Sequence, residues 1–371
     1  IIYCKKMYQF IEKKIKRSQN KLIDTIPSIG CISAVLSQRF LENIIQYPQI
    51  SYITSDSFAE LCGSSIASSN GISLQKKLSY TGEGIGIGLV DSGVYPHPDL
   101  IRNENKIAEF YDAVSGLKYP YDDNGHGTFM SGILCGSGLN SKGMYKGIAE
   151  GSHLYAIKAF NAFGKGYISD ILYSIDKIIN EKNEFNIKVI CLPFEINSND
   201  FFIISLFDKL FKKAIQNNIT IVVPCGHNGI SECSMTGISI LKSCITAGGL
   251  DYKSRIEPFK FSSAGPVGKA EKPDLSAVCS DICSLNSDKS YISERNGQKI
   301  YAGHLEKPYI TYSGTSCAAA YISGICALLY EKTPDITYKD IVPMIKLSCK
   351  MFNINKNIQG CGIPDVYKLL S

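Results

Sequence analysis

Short, unbroken apolar runs recur along this chain: GIGIGLVD at 84–91, HLYAIKAF at 153–160, KVICLPF at 188–194, TIVVPCG at 220–226 and SCITAGG at 243–249. A strand that faces water on one side alternates apolar and polar residues, so runs without alternation belong to strands buried on both faces. Helical stretches lie between them, at 169–181 and 201–216. Strand and helix in alternation build an α/β domain, with a mostly parallel central sheet and helices on both faces. In such sheets reacting groups gather at the carboxyl ends of strands. This domain is expected to span 81–371, with working residues just past the ends of apolar runs.

Residues 1–60 follow another plan. They read strand (1–5), helix (8–21), strand (30–37), helix (38–46) and strand (50–54), with room for one more strand. Ser37 can cap the second helix, Phe40, Ile44 and Ile45 give it an apolar stripe, and Pro48 stops it. The pattern is that of a small α+β unit of ferredoxin-like type. Residues 61–80, rich in Ser and Gly, read as a linker. Residues 284–311, polar and Tyr-rich, read as a surface insertion in the larger domain.

Composition narrows the classes. With 44% hydrophobic and 20% charged residues and a net charge of +5, the chain has the balance of a globular protein. Its densest basic run, Lys13-Lys14-Ile15-Lys16-Arg17, reads as the wet face of a helix, so nucleic acid is not an expected partner. No run reaches the roughly 18–20 apolar residues needed to span a bilayer. The start, Ile1-Ile2-Tyr3-Cys4, shows no signal-peptide pattern. The 14 cysteines show no CxxC or metal-ligand spacing. Several, such as Cys225 and Cys326, sit in apolar runs as small hydrophobes, which points to a reducing or anaerobic setting.

Three segments carry side chains suited to chemistry. Asp91 ends the run GIGIGLVD and is followed by Ser92-Gly93, which puts a carboxylate at the sheet's edge. His126 stands between two glycines in DDNGHGTFMSGILCG, at the start of an apolar helix, where the backbone can turn tightly and leave the ring accessible. Ser316 opens a long apolar helix in YSGTSCAAAYISGICALLYEK, among small residues that permit close approach. Each alone has a structural alternative: a turn, a core histidine, an N-cap.

Taken together, VDSGV, NGHGT and SGTSCAAA in the order Asp, His, Ser resemble the subtilisin family of serine proteases. The resemblance extends through YKGIAEGSHLYAIKAF, FSSAGP and KPDLSA and covers nearly all of 81–371. It implies a serine endopeptidase in which His126 takes the Ser316 proton, Asp91 holds the imidazole, and peptides are cut through an acyl-enzyme. No cofactor is implied for catalysis. Structural calcium is common in the family, but no full oxygen-ligand set maps onto this chain. The family's frequent export sets a secreted or cell-surface location against the reducing setting suggested by the thiols.

The family also places an Asn after a Gly to help bind the oxyanion. Here the matching segment is VVPCGHNG. His227 stands in that place and Asn228 one residue later, which leaves three alternatives: His227 donates, Asn228 donates through a local shift, or the hole is impaired. Cys317 and Ala320 replace the usual Met and Pro after the serine. By the same resemblance Gly164, Lys165 and Gly166 form an edge strand that pairs with an extended protein or peptide substrate. The opposite wall is Leu192-Pro193-Phe194-Glu195. Glu195 would favour a basic substrate side chain if it points into the pocket, and has no such role if it faces solvent.

Residues 1–60 resemble the family's inhibitory prodomain, with a tail at 55–62 through the groove and self-cleavage near 61–63. The leading expectation is a self-processing zymogen. The alternative from another class is a pseudoprotease that binds peptides or regulates a protease.

Overall fold

In a computed structural model, residues 1–4, 8–61, 64–65, 79–196, 200–252, 254–268 and 270–371 are described, with 58–61 and 64–65 described by their backbone path. The N-terminal unit contains β1 (Ile2–Cys4), α1 (Tyr8–Lys16), β2 (Lys21–Ile26), β3 (Cys31–Val35), α2 (Gln38–Ile44) and β4 (Ile50–Ile53). Its strands form one sheet in the order β2-β3-β1-β4, with each neighbouring pair antiparallel. A small core of Ile2, Ile11, Ile15, Ile32 and Ile44 joins sheet and helices.

One expectation here needs correction. The first helix does not run to residue 21; it stops at Lys16, and Lys21–Ile26 is the additional strand. Ser18 Oγ donates to Ile15 O at 2.6 Å and accepts from Asn20, so short polar side chains turn the backbone there. Beyond the turn the β-branched residues Ile23, Thr25 and Ile26 favour extended chain. Ser37 caps α2 as anticipated, accepting from the Phe40 N–H.

Next come two short strands, β5 (Phe58–Leu61) and β6 (Ser64–Ser65), within what reads from sequence as the end of the small unit and a linker. Cys62, Gly63 and 66–78 lie outside the described residues.

The larger unit then runs β7 (Gly86–Asp91), α3 (Pro98–Ile101), β8 (Ile107–Asp112), α4 (His126–Cys135), β9 (His153–Lys158), β10 (Lys165–Tyr167) and α5 (Ile168–Glu181). It continues with β11 (Ile187–Cys191), β12 (Phe194–Glu195), α6 (Phe201–Gln216), β13 (Thr220–Pro224), β14 (Ile245–Tyr252), β15 (Ile256–Pro258) and β16 (Leu275–Val278). The last parts relevant to the site are β17 (Ile282–Leu285), the hairpin β18 (Glu294–Arg295) and β19 (Gln298–Lys299), β20 (Tyr309–Ser313) and α7 (Thr315–Lys332). The hairpin occupies the middle of the polar stretch at 284–311.

The central sheet has the order β15-β14-β13-β11-β7-β9-β8, with β16 also pairing β14. All neighbours are parallel except β14 with β15. This is the mostly parallel α/β sheet that the apolar runs predict. Helices α4 and α7 contribute Phe129, Leu134, Ala318, Ile322 and Leu328 to one core, while α5 and α6 contribute Ile171, Ile175, Phe207 and Leu210 to the other. Each fully buried large apolar side chain contributes about 1.5–3 kcal/mol. Burial on both sides explains why the strand sequences lack alternation. Among the described residues no helix is long and apolar enough to cross a membrane.

Candidate active site

The sheet delivers Asp91 as the last residue of β7, where its side chain is almost fully buried. His126 is the first residue of α4, and its Nδ1 lies 2.9 Å from both Oδ1 and Oδ2 of Asp91. The Ser92 N–H donates to Asp91 Oδ1 at 2.6 Å. A carboxylate satisfied by ring and backbone donors is fixed in direction.

Two local features make that meeting possible. Gly127 lets α4 approach β7: a Cβ there would stand 2.1 Å from the Gly93 carbonyl oxygen. Asp122 then shapes the helix start, which has Gly125 at φ 97° and no side-chain bond from its own cap. Asp122 Oδ1 accepts the N–H of Gly125 at 2.8 Å, and Oδ2 accepts the N–H and the hydroxyl of Thr128 at 2.8 and 2.6 Å. Ser92 joins the two elements, donating its hydroxyl to Asp122 Oδ1 and accepting the Gly127 N–H, both at 2.9 Å. Asp122 escaped the sequence reading, although an aspartate a few residues ahead of a helix is a capping signal.

Lys158, at the end of β9, is a second residue that sequence reasoning missed. Its ammonium is fully buried, yet it donates to the carbonyls of Ser92 and Phe160 at 2.7 and 3.0 Å and pairs with Asp123. A buried cation is tolerated only with such partners. It pins the turn after Asp91.

Ser316 sits in the first turn of α7, which begins after Gly314 and packs on α4. Ser316 Oγ donates to the Pro193 carbonyl at 2.7 Å, and Thr315 Oγ1 donates to the Gly226 carbonyl at 3.3 Å. These bonds bring the start of α7 against the 193–195 wall and the loop after β13. Backbone N–H groups in a first helical turn, together with the helix dipole, favour a negative charge. The neighbouring thiols do not compete as nucleophiles: burial pushes Cys317 up to about 12 and Cys225 up to about 11, so both stay protonated near neutrality.

In the loop after β13, the His227 ring stacks on Phe261 with centroids 4.7 Å apart, and its buried Nδ1 has no hydrogen-bond partner among the described residues. Burial lowers its pKa, opposed by the Glu195 charge. The Asn228 amide donates instead to Ser234 O at 3.0 Å and Thr236 Oγ1 at 3.4 Å. Glu195 is turned inward, its Oε2 accepting the His227 backbone N–H at 2.8 Å.

The walls at 164–166 and 193–195 are joined by a third strand. Strand β5 lies between β10 and β12, antiparallel to both, with Gly166 opposite Ala59, Lys165 and Glu195 both opposite Glu60, and Phe194 opposite Leu61. Gly166 is required where β10 folds back, because a Cβ there would lie 2.4 Å from the Ala159 carbonyl. Past the site, Ser64 and Ser65 of β6 pair with Ser313 and Tyr312 of β20. The N-terminal unit is also tied to α5, which has no side-chain cap of its own. Asp56 accepts the Ser169 N–H at 3.2 Å and the Ser169 hydroxyl, and Ser57 O accepts the Ile168 N–H at 2.9 Å. Among the described residues no three His, Cys, Asp or Glu side chains form a metal-holding group.

Residues 82–362 match the family described as Peptidase_S8, the subtilase family. The chain is 31% identical to serine protease AprX of Bacillus subtilis (strain 168) over 363 residues, covering 94% of this chain and 80% of that protein. It is 28% identical to the minor extracellular protease Epr of the same organism over 258 residues, covering 70% of this chain and 34% of Epr. Among solved structures, fervidolysin from Fervidobacterium pennivorans, a keratinolytic enzyme related to subtilisin, aligns with a TM-score of 0.76 at 18% identity. That alignment covers 100% of this chain and 60% of fervidolysin, and at this identity it speaks to fold alone.

Proposed function

Since the chain belongs to the subtilase family and is a subtilisin-like serine endopeptidase, we propose that Asp91, His126 and Ser316 are its catalytic triad. The observation that carries this reading is the His126 ring, held through Nδ1 by both oxygens of a buried carboxylate. That bond makes the Nδ1–H tautomer the resting form and leaves Nε2 as the base. His126 takes the Ser316 proton as Oγ leaves the Pro193 carbonyl and attacks the peptide carbonyl. Asp91 stabilises the imidazolium, which then gives the proton to the leaving amine, and water releases the acyl group. The developing oxyanion meets the Ser316 N–H at the α7 dipole. His227 is the side chain we assign as second donor, because the Asn228 amide is engaged with Ser234 and Thr236. The imidazole and the serine do the bond-breaking, so the chemistry needs no cofactor.

We further propose that residues 1–60 act as an intramolecular inhibitor and that the chain processes itself. Support comes from β5, which enters between β10 and β12 as an extended substrate would. Leu61 pairs with Phe194, and Ser64 pairs with Ser313, three residues before Ser316. Self-cleavage is therefore expected between Leu61 and Ser64. Export is the location we propose, by kinship with Epr.

The test is the length of the product. Ser316→Ala should stay uncut while the parent is trimmed within 61–64. A Ser316→Ala chain that still matures by itself would contradict the reading, and a parent that cleaves neither itself nor casein would favour a peptide-binding pseudoprotease.

A further inference from the structure

We propose that Glu195 sets the specificity of this groove, selecting a lysine or arginine side chain at the substrate residue whose carbonyl Ser316 attacks. The inference rests on the protease reading above and adds the substrate class.

The argument starts from strand register. An extended chain along β12 places one residue opposite Glu195 and the next opposite Phe194, as Glu60 and Leu61 are placed here. Continuing by one, the following substrate residue faces Pro193, whose carbonyl receives the Ser316 hydroxyl at 2.7 Å. That is the residue presented to the nucleophile. Side chains two positions apart on a strand share a face, and residues directly opposite in an antiparallel pair share it too. The side chain of the attacked residue therefore projects on the same face as Glu195.

On that face the Glu195 carboxylate reaches from the 193–195 wall to the loop after β13. Oε2 accepts the His227 N–H at 2.8 Å, and a Cβ on Gly226 would lie 2.9 Å from the same oxygen. Gly226, at φ 105°, has the backbone that tolerates this closeness. Oε1 has no hydrogen-bond partner among the described residues, and none of their ion pairs includes Glu195.

Its nearest titratable neighbours do not neutralise it. Burial pushes His227 toward the neutral ring and Cys225 toward the neutral thiol. A half-buried carboxylate beside neutral groups, partly screened from water, attracts a cation and penalises an apolar side chain pressed against it. An ammonium or guanidinium meets that demand.

The chain's own segment from 55 to 65, SDSFAELCGSS, has no lysine or arginine. Its strand β5 lies in the groove without the preferred charge, which suits a segment that blocks the site more than it feeds it. Intramolecular delivery makes up for the missing contact during self-processing. Substrates supplied in trans must bring the cation themselves.

The test uses matched fluorogenic peptides that differ only at the attacked residue: Lys, Arg, Leu, Phe or Glu. For the processed parent, kcat/KM for Lys and Arg should exceed that for Leu roughly tenfold to a hundredfold, the range for a charge-assisted hydrogen bond. Glu195→Gln keeps the size and the acceptor for His227, and should bring the Lys/Leu ratio close to one. Glu195→Lys should reverse the order in favour of Glu. These ratios do not depend on the fraction of correctly folded enzyme. The proposal is overturned if the parent cuts Leu or Phe as fast as Lys, or if Glu195→Gln leaves the ratio unchanged. Cleavage of none of the peptides, with no fluorophosphonate label on Ser316, overturns the protease reading itself.

Discussion

Asp170 offers a way to weigh the contact between the N-terminal unit and the larger domain by pH alone. It lies in the first turn of α5, partly buried, and faces Asp24 of β2 and Asp56, the residue that caps this helix from the other unit. Burial comes first, followed by the charges of Asp24 and Asp56, and together they push the Asp170 carboxyl up to about 7 from an ordinary 3.8, with the Ser169 hydroxyl opposing. Asp24 is itself raised by burial. Tyr111 lies within reach of both Asp24 and Asp170, and Lys177 stands 5.2 Å from the Tyr111 ring centre. The folded chain thus holds a proton that the unfolded chain releases. This stabilisation is complete below pH 3.8 and is lost as pH rises through about 7. A gap of about three units has a ceiling of about 4 kcal/mol. Asp170 is partly exposed, so solvent screening leaves about 1–2 kcal/mol over the whole window.

Asp170→Asn removes the charge and keeps the shape. Urea unfolding of the uncut Ser316→Ala chain, followed by circular dichroism at pH 5 and pH 8, measures the effect. Relative to Asp170, the Asn form should gain about 1 kcal/mol on going from pH 5 to pH 8, the part of the window those two values span. A difference between the two chains that does not change with pH would refute the reasoning.

Two further outcomes follow from the site. His227→Ala should lower kcat about a hundred- to a thousandfold with KM little changed, whereas Asn228→Ala should cost far less; the reverse order would reassign the oxyanion donor. Asp122→Ala removes the acceptor for four donors at the start of α4, and should lower stability by about 1–2 kcal/mol in thermal unfolding and reduce activity through a displaced His126; an unchanged melting temperature would contradict its structural role.

Much of this arrangement was legible from residue pattern because burial on both faces leaves a plain mark. The runs at 84–91 and 220–226 became parallel strands, and the stretches read as helices became α5 and α6. Legibility fails where structure comes from a partner distant in sequence. Strand β5 has no clear apolar alternation; it is extended because β10 and β12 offer it two edges. The helix read from sequence reaches Lys21, the first residue of β2, since lysine suits either element and the Ser18 turn is a local hydrogen-bond effect. The burial of Lys158 depends on acceptors at Ser92, Asp123 and Phe160, gathered by the fold. Glu195 could be marked as unusual from its position, but its inward turn rests on a backbone N–H 32 residues away.

The central claim is that His126, fixed by Asp91, activates Ser316. Reaction of the processed protein with a fluorophosphonate, mapped by peptide mass spectrometry, tests it most directly. The account predicts a single adduct on Ser316 that disappears in His126→Ala and falls sharply in Asp91→Asn. An adduct on another residue, or undiminished labelling of Ser316 without the imidazole, would contradict it.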